Sequence, residues 1–163
     1  MNFFNVEKEI KSIKDKLHNS FDVVDRVLSL EDISVGFIYL KSFTDNLIFS
    51  TAIYQPISSY EGKLDFDVIK KLVQANDIKE IKKEEIVDNI LKGGVVILTN
   101  DSNKILSVDI QKFNARAPSE PPTTPVIQGP REGFTEDIKT NIGLLRKRFY
   151  SADLVLKNLT VGK

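Results

Sequence analysis

With 163 residues the chain has the length of a single domain and enough material to bury a core, and its 23 basic and 23 acidic residues cancel to a formal charge of zero. That balance removes the overall positive field of a typical nucleic-acid binder. The absence of cysteine and the single histidine, His18, exclude disulfide frameworks, thiolate nucleophiles, zinc-thiolate sites and multi-histidine metal centres, so no metal or cofactor is expected.

The first residues lack a basic segment followed by an apolar stretch and a small-residue cleavage site, and no run approaches the roughly 18 apolar residues of a membrane span. This piece reads as soluble by itself. Val6, Ile10, Ile13 and Leu17 recur at spacings of four, three and four with Glu and Lys between them, which predicts an amphipathic helix ending at His18. A histidine there suits the carbonyl end of the helix dipole, and no second ligand or base accompanies it.

Residues 21–30 and 34–40 are rich in β-branched and aromatic side chains and predict two strands joined across Glu31 and Asp32. The second run, SVGFIYL, is apolar on both faces, as a central strand covered by helices is, and Gly36 within it marks close backbone packing. From 44 to 56 the rhythm predicts a helix capped by Thr44 and ended by Pro56, with Leu47, Ile48 and Ala52 on one face. Leu64, Val68, Ile69 and Leu72 predict a short helix, and Ile78 and Ile81 bracket an extended piece. A helix over 84–91 is stopped by Gly93 and Gly94, which precede a strand and so do not form a phosphate-binding loop. Residues 95–98 and 105–110 form the clearest hairpin, turning through Asn, Asp and Ser.

Five of the six prolines lie between 117 and 130, a stiff stretch that either straps the domain or faces a partner. The stretch 128–150, QGPREGFTEDIKTNIGLLRKRFY, then enters a helix through a Gly/Pro turn, with Thr135 as N-cap and Ile138, Ile142, Leu145 and Phe149 on one face. That face is expected to be buried, with Ile142→Ala costing roughly 2 to 4 kcal/mol. Arg146, Lys147 and Arg148 read as a solvated helix end or as a partner-facing or lipid-facing patch. Residues 153–162 alternate in part and predict a last strand. The expected fold is mixed α/β, a small central sheet of about five strands flanked by helices. Its parts are a body at 1–116, a proline-rich strap and turn at 117–133, and a packed helix and final strand at 134–163.

Several separated motifs, GGVVILTN at 93–100, Glu120-Pro121, VIQGPREGFTE at 126–136, Thr140-Asn141, LLRKR at 144–148 and LTVGK at 159–163, resemble the A subunit of GerA-type spore germinant receptors. Over the first 90 residues the resemblance rests mainly on element order and on Gln55-Pro56. Where the family has an arginine before its Gly-Pro-Arg-Glu-Gly-Phe run this chain has Gln128, and a family tryptophan position falls roughly at Phe113. The resemblance implies a parent chain about three times longer, with two α/β subdomains on the cytoplasmic side followed by membrane-spanning helices, this chain being the first subdomain. It further implies work with B and C subunits, other A subunits and the following subdomain at the inner membrane of the dormant spore, with the membrane reached through the parent chain only and no nucleic acid involved. The motif residues Gly129, Pro130, Arg131, Glu132, Gly133, Phe134, Glu136, Asn141, Arg146 and Arg148 are then candidates for an interface or structural role.

The leading expectation is a non-enzymatic regulatory or assembly domain, and the alternative is a small-molecule-sensing α/β module. Glu120, Arg131, Glu132 and Glu136 are the carboxylates and guanidinium from which an enzymatic site would have to be built, but no nucleophile and base accompany them. An arginine-glutamate pair more often fixes a turn.

Overall fold

The computed structural model describes residues 5–31, 33–75, 77–110 and 133–162. The proline-rich stretch, the Gly129 to Glu132 part of the turn, Asp32, Phe113 and Glu120 lie outside the described residues.

Asn5 accepts the Lys8 amide at 2.9 Å and starts helix α1 (Val6–Lys16), whose Val6, Ile10 and Ile13 are buried together with Leu17. Strands β1 (Val23–Ser29) and β2 (Ser34–Leu40) follow as an antiparallel hairpin. Next come α2 (Asn46–Ile48), a π-helical stretch (Phe49–Tyr54), α3 (Gln55–Ser58), α4 (Phe66–Leu72) and strand β3 (Asp77–Ile81). A single 3-10 turn (Lys83–Glu85) leads into α5 (Ile86–Leu91), then β4 (Gly94–Thr99), β5 (Ile105–Asp109) and, after the undescribed segment, α6 (Ile138–Arg148). The five strands make one sheet in the order β1-β2-β4-β5-β3, each neighbour antiparallel. This is the mixed α/β architecture expected from the sequence.

Alternation along the central strands divides the core between the two faces of that sheet. Phe37, Tyr39, Val95 and Ile97 point to one side, where Phe49, Ile53, Ile57, Phe66 and Ile69 cover them. Ile38, Leu40, Val96 and Leu98 point to the other, under Val6, Ile10, Ile13, Ile86 and Ile90. Each such side chain contributes roughly 1.5–3 kcal/mol of transfer free energy. Gly36 is what lets α1 lie so close to β2: a Cβ there would stand 2.5 Å from Val6 Cγ1 and 2.8 Å from Ile10 Cδ1. Gly93, at φ 91°, supplies the left-handed residue that ends α5, and Gly94 already belongs to β4.

Several sequence expectations need correction. Asp45, not Thr44, caps α2, accepting the amides of Leu47 and Ile48 at 2.8 and 3.2 Å, because a carboxylate competes better than a hydroxyl for two orphan amides. Pro56 does not stop the helix but sits in the first turn of α3, directly after the π-helical stretch, and the Ala52 carbonyl four positions before it accepts the Gln74 amide at 2.8 Å instead. The wider π turns bring Phe49, Ile53 and Ile57, spaced by four, onto the buried face, leaving Leu47 exposed and Ile48 and Ala52 half-buried. Residues 153–162 form no strand: the segment is irregular, with Leu159 and Val161 in solvent. The last correction concerns α6 and is described with its surroundings.

Candidate interaction surface around the last helix

Asp137, rather than Thr135, caps α6, accepting the amides of Lys139 and Thr140 at 3.1 Å each and the Thr140 hydroxyl at 2.5 Å. The Thr140 hydroxyl first, and then the two amides, hold the Asp137 carboxyl below its ordinary 3.8. Thr135 instead joins Asn141 in a reciprocal pair. The Thr135 amide donates to Asn141 Oδ1 at 2.7 Å, and Asn141 Nδ2 donates to the Thr135 carbonyl at 2.7 Å. The motif residue Asn141 thus fastens the approach at 133–135 to the helix it precedes.

Ile138, Ile142, Leu145 and Phe149 do not form the buried face of α6. Ile138 and Phe149 are 74% and 58% exposed, Ile142 and Leu145 are half-buried, and the buried positions are Gly143 and Arg146. At about 100° per residue, Lys139, Gly143 and Arg146 lie roughly a quarter turn from the apolar stripe. The helix is docked through this polar face.

The physical reason is a set of three anchors. At the first turn Lys139 Nζ donates to the Thr44 carbonyl at 2.8 Å. In the middle Gly143 faces the Ser42 carbonyl and the Phe43 ring, and a Cβ there would make ordinary contacts at 3.7 and 3.9 Å. Arg146 then reaches into the body, where its Nε and Nη2 donate to the two Asp22 oxygens at 2.8 and 2.7 Å. Nη2 also donates to Ser20 Oγ at 2.9 Å, and Nη1 to the Ser151 carbonyl at 3.3 Å. Ser20 Oγ uses its full capacity: it donates to Asp22 at 2.7 Å and accepts from Arg146 and from the Leu156 amide, the latter at 2.8 Å. Beyond the helix the Tyr150 hydroxyl donates its one proton to the Asp88 carboxylate and lies 3.0 Å from the Asp88 carbonyl, tying the chain to α5. Burial and then the Asp88 carboxylate push the Tyr150 hydroxyl well above its ordinary value.

The arginine expected in a solvated or partner-facing basic run is therefore a buried structural hub. The other motif residues lie differently. Phe134 is 70% exposed, Gly133 stands in open space, and Glu136 and Arg148 are on the surface. Ser20, Asp22, Lys139, Tyr150 and Asp88 were not anticipated from the sequence. Together the described parts of this region present Phe134, Ile138, Phe149 and Tyr150 as exposed apolar side chains on or beside one helix. Among the described residues no cluster of His, Cys, Asp or Glu suits a metal ion, and no helix is long and apolar enough to cross a membrane.

A family profile described as "Bacillus/Clostridium GerA spore germination protein" matches residues 11–163. The chain belongs to this GerA family. Among its relatives, the Spore germination protein A1 of Bacillus subtilis (strain 168) is 26% identical over 97% of the chain and 33% of its own length. GerIA of Bacillus cereus is 30% identical over 94% of the chain and 24% of its own length. Stage V sporulation protein AF of B. subtilis is 28% identical over 88% of the chain and 30% of its own length. The chain thus spans about a third or less of these relatives. The crystal structure of the N-terminal domain of the A subunit of the Bacillus megaterium spore germinant receptor GerK3 has the same fold. Its TM-score is 0.67 at 18% identity, covering all of this chain and 62% of that one.

Proposed function

We propose that this GerA-family chain is the first subdomain of a germinant receptor A subunit and works as a non-enzymatic assembly and regulatory module in spore germination. The observation that carries this reading is the orientation of α6: a helix with a regular apolar stripe is docked by its polar side, leaving Ile138 at its start and Phe149 at its end in solvent, with Phe134 exposed just before it. An isolated domain gains nothing from such a stripe, whereas a module awaiting a neighbour does. The following subdomain of the parent chain is the first candidate for the covering surface, since the relatives run about three times longer. B and C subunits and other A subunits are the further candidates. Of the motif residues, Gly133, Phe134, Glu136 and Arg148 flank the helix where such a neighbour would read its position. On this reading the module lies on the cytoplasmic face of the spore inner membrane, reached through the parent chain.

The test places Ile138→Asp and Phe149→Ser in the complete receptor. Germination in response to nutrient should slow or fail in spores, while the isolated chain keeps its melting behaviour. Normal receptor levels together with normal germination kinetics in both variants would remove the proposal.

A further inference from the structure

Strand β1 lies at one edge of the sheet. Its bonds to β2 run between even-numbered residues of β1, framed by Leu30 N to the Ile33 carbonyl at 2.9 Å and Lys41 N to the Asp22 carbonyl at 2.8 Å. The amides and carbonyls of Asp25, Val27 and Ser29 therefore point outward. Among the described residues nothing pairs with them.

Sheet edges are ordinarily blunted by charge, and the opposite edge follows that rule, because β3 carries Asp77, Lys79 and Glu80. On β1 the charges are drawn onto the two faces: Asp25 pairs with Lys14 at 2.6 Å, and Arg26 lies 5.4 Å from the centre of the Phe49 ring. What remains along the edge is apolar, with Val27 and Leu30 each 36% exposed.

We propose that this edge is a self-complementary surface to which a second copy of the chain adds its own β1, antiparallel about a two-fold axis at Val27. Charge selects that register. Because the outward groups are odd-numbered on both copies, the axis must pass between one residue and its own copy. Centred on Asp25 or on Arg26, the pairing sets that residue's charge directly against itself; centred on Leu28, it sets Asp25 against Glu31. Centred on Val27, it sets Asp25 against Ser29, Arg26 against Leu28 and Val24 against Leu30, with no like charges opposed. The outward groups of Val27 then bond those of its copy, and the outward groups of Asp25 bond those of Ser29, so every open group finds a partner.

The helix above the edge fits the same axis. Val27 pairs in β2 with Gly36, on which Val6 and Ile10 of α1 rest. Glu7 and Lys11, on that stretch of α1, line a groove of about 390 Å³ beside Asp25 and Val27, and neither has an ionic partner among the described residues. The two-fold operation turns Glu7 of each copy toward Lys11 of the other, which makes two reciprocal pairs of opposite charge. This surface is separate from the α6 stripe, and the two can be occupied independently.

Sedimentation of the 163-residue chain over a concentration series tests this. Dimers should appear by about 1 mM, the weak end for a specific contact, and the Asp25, Val27 and Ser29 amides should exchange severalfold more slowly in concentrated than in dilute samples. Val27→Lys places two ammonium groups at the axis and should raise the dissociation constant roughly tenfold or more. Glu7→Lys should weaken the dimer severalfold, and adding Lys11→Glu should restore it. Ile138→Asp should leave it unchanged. A chain that stays monomeric at about 1 mM, exchange that ignores concentration, or a dimer that survives Val27→Lys and dissolves in Ile138→Asp would each overturn the proposal. If Val27→Lys fails to fold, the exchange comparison on the unaltered chain decides alone.

Discussion

Arg146 and Asp22 lie 124 positions apart in the chain and meet as a bidentate pair at 2.7 and 2.8 Å, with side-chain exposures of 1% and 2%. The last helix is attached to the domain body through this contact. The pair is shielded from water, so removing one member strands the other without solvent. Arg146→Met should therefore destabilise the chain by about 3–5 kcal/mol in urea unfolding, and Asp22→Leu by a similar amount. The double variant should recover much of the loss, because two apolar side chains leave no buried charge. Arg146→Lys should fall between, since an ammonium cannot reproduce the fork that holds both Asp22 oxygens and Ser20.

Gly36 is the second place where one residue sets an architecture. A side chain there meets Val6 and Ile10 below van der Waals distance, so Gly36→Val should lose about 1–3 kcal/mol by displacing α1. Gly143 is the contrasting case. Its Cβ would make ordinary contacts, and relief of the helical glycine penalty makes Gly143→Ala neutral or stabilising by up to about 1 kcal/mol. Thermal melts of the two variants separate the positions.

What the sequence made legible follows from local pattern. The two-sided apolar run of β2, the close-packed Gly36, the Gly93 stop and the 95–110 hairpin each announce themselves within a few residues, because strand alternation and turn chemistry are local. Arg146 could not be read this way. In an RKR run at a helix end it looks like its two neighbours, and its burial depends on Asp22 and Ser20 at the far end of the chain. The apolar stripe of α6 is legible in the sequence as a stripe. Its burial is not, because periodicity reports that a face seeks cover and not whether this domain supplies it. The π-helical turn at 49–54 shifted the buried face for a similar reason: the expected periodicity assumed a regular α-helix, and the tertiary packing of Phe49, Ile53 and Ile57 selected another pitch.

Asp137 and Asp88 are among the carboxylates that shape the acid limb of stability. Asp137 is held below 3.8 mainly by the Thr140 hydroxyl, and Asp88 below 3.8 mainly by the Lys92 ammonium and then by the Tyr150 hydroxyl. A carboxyl whose pKa is lower in the folded state contributes stability that is present above its unfolded value and lost as pH falls through the folded one. Stability should thus decline below about pH 4, and Asp137→Asn should flatten that decline while leaving the slope above pH 5 unchanged. Tyr150 works in the opposite sense: its raised pKa favours folding below its unfolded value of 10.0, and the benefit fades as pH rises above it. Tyr150→Phe should remove that alkaline sensitivity in a pH series of thermal melts.

The stripe on α6 separates a stability role from an interface role. Ile142 is half-buried and Phe149 mostly in solvent, so in the isolated chain Ile142→Ala should cost only about 1 kcal/mol, below the 2 to 4 expected of a core position. Phe149→Ser should stay within about 0.5 kcal/mol of the parent. If a neighbouring subdomain or subunit covers the stripe, the order reverses in the complete receptor. Phe149 then becomes a central aromatic contact, and its loss should weaken assembly by more than 1 kcal/mol. Urea unfolding of the isolated chain and recovery of the intact receptor from spore membranes measure the two sides. A Phe149→Ser chain that melts early yet assembles normally would show that the exposed ring serves its own domain.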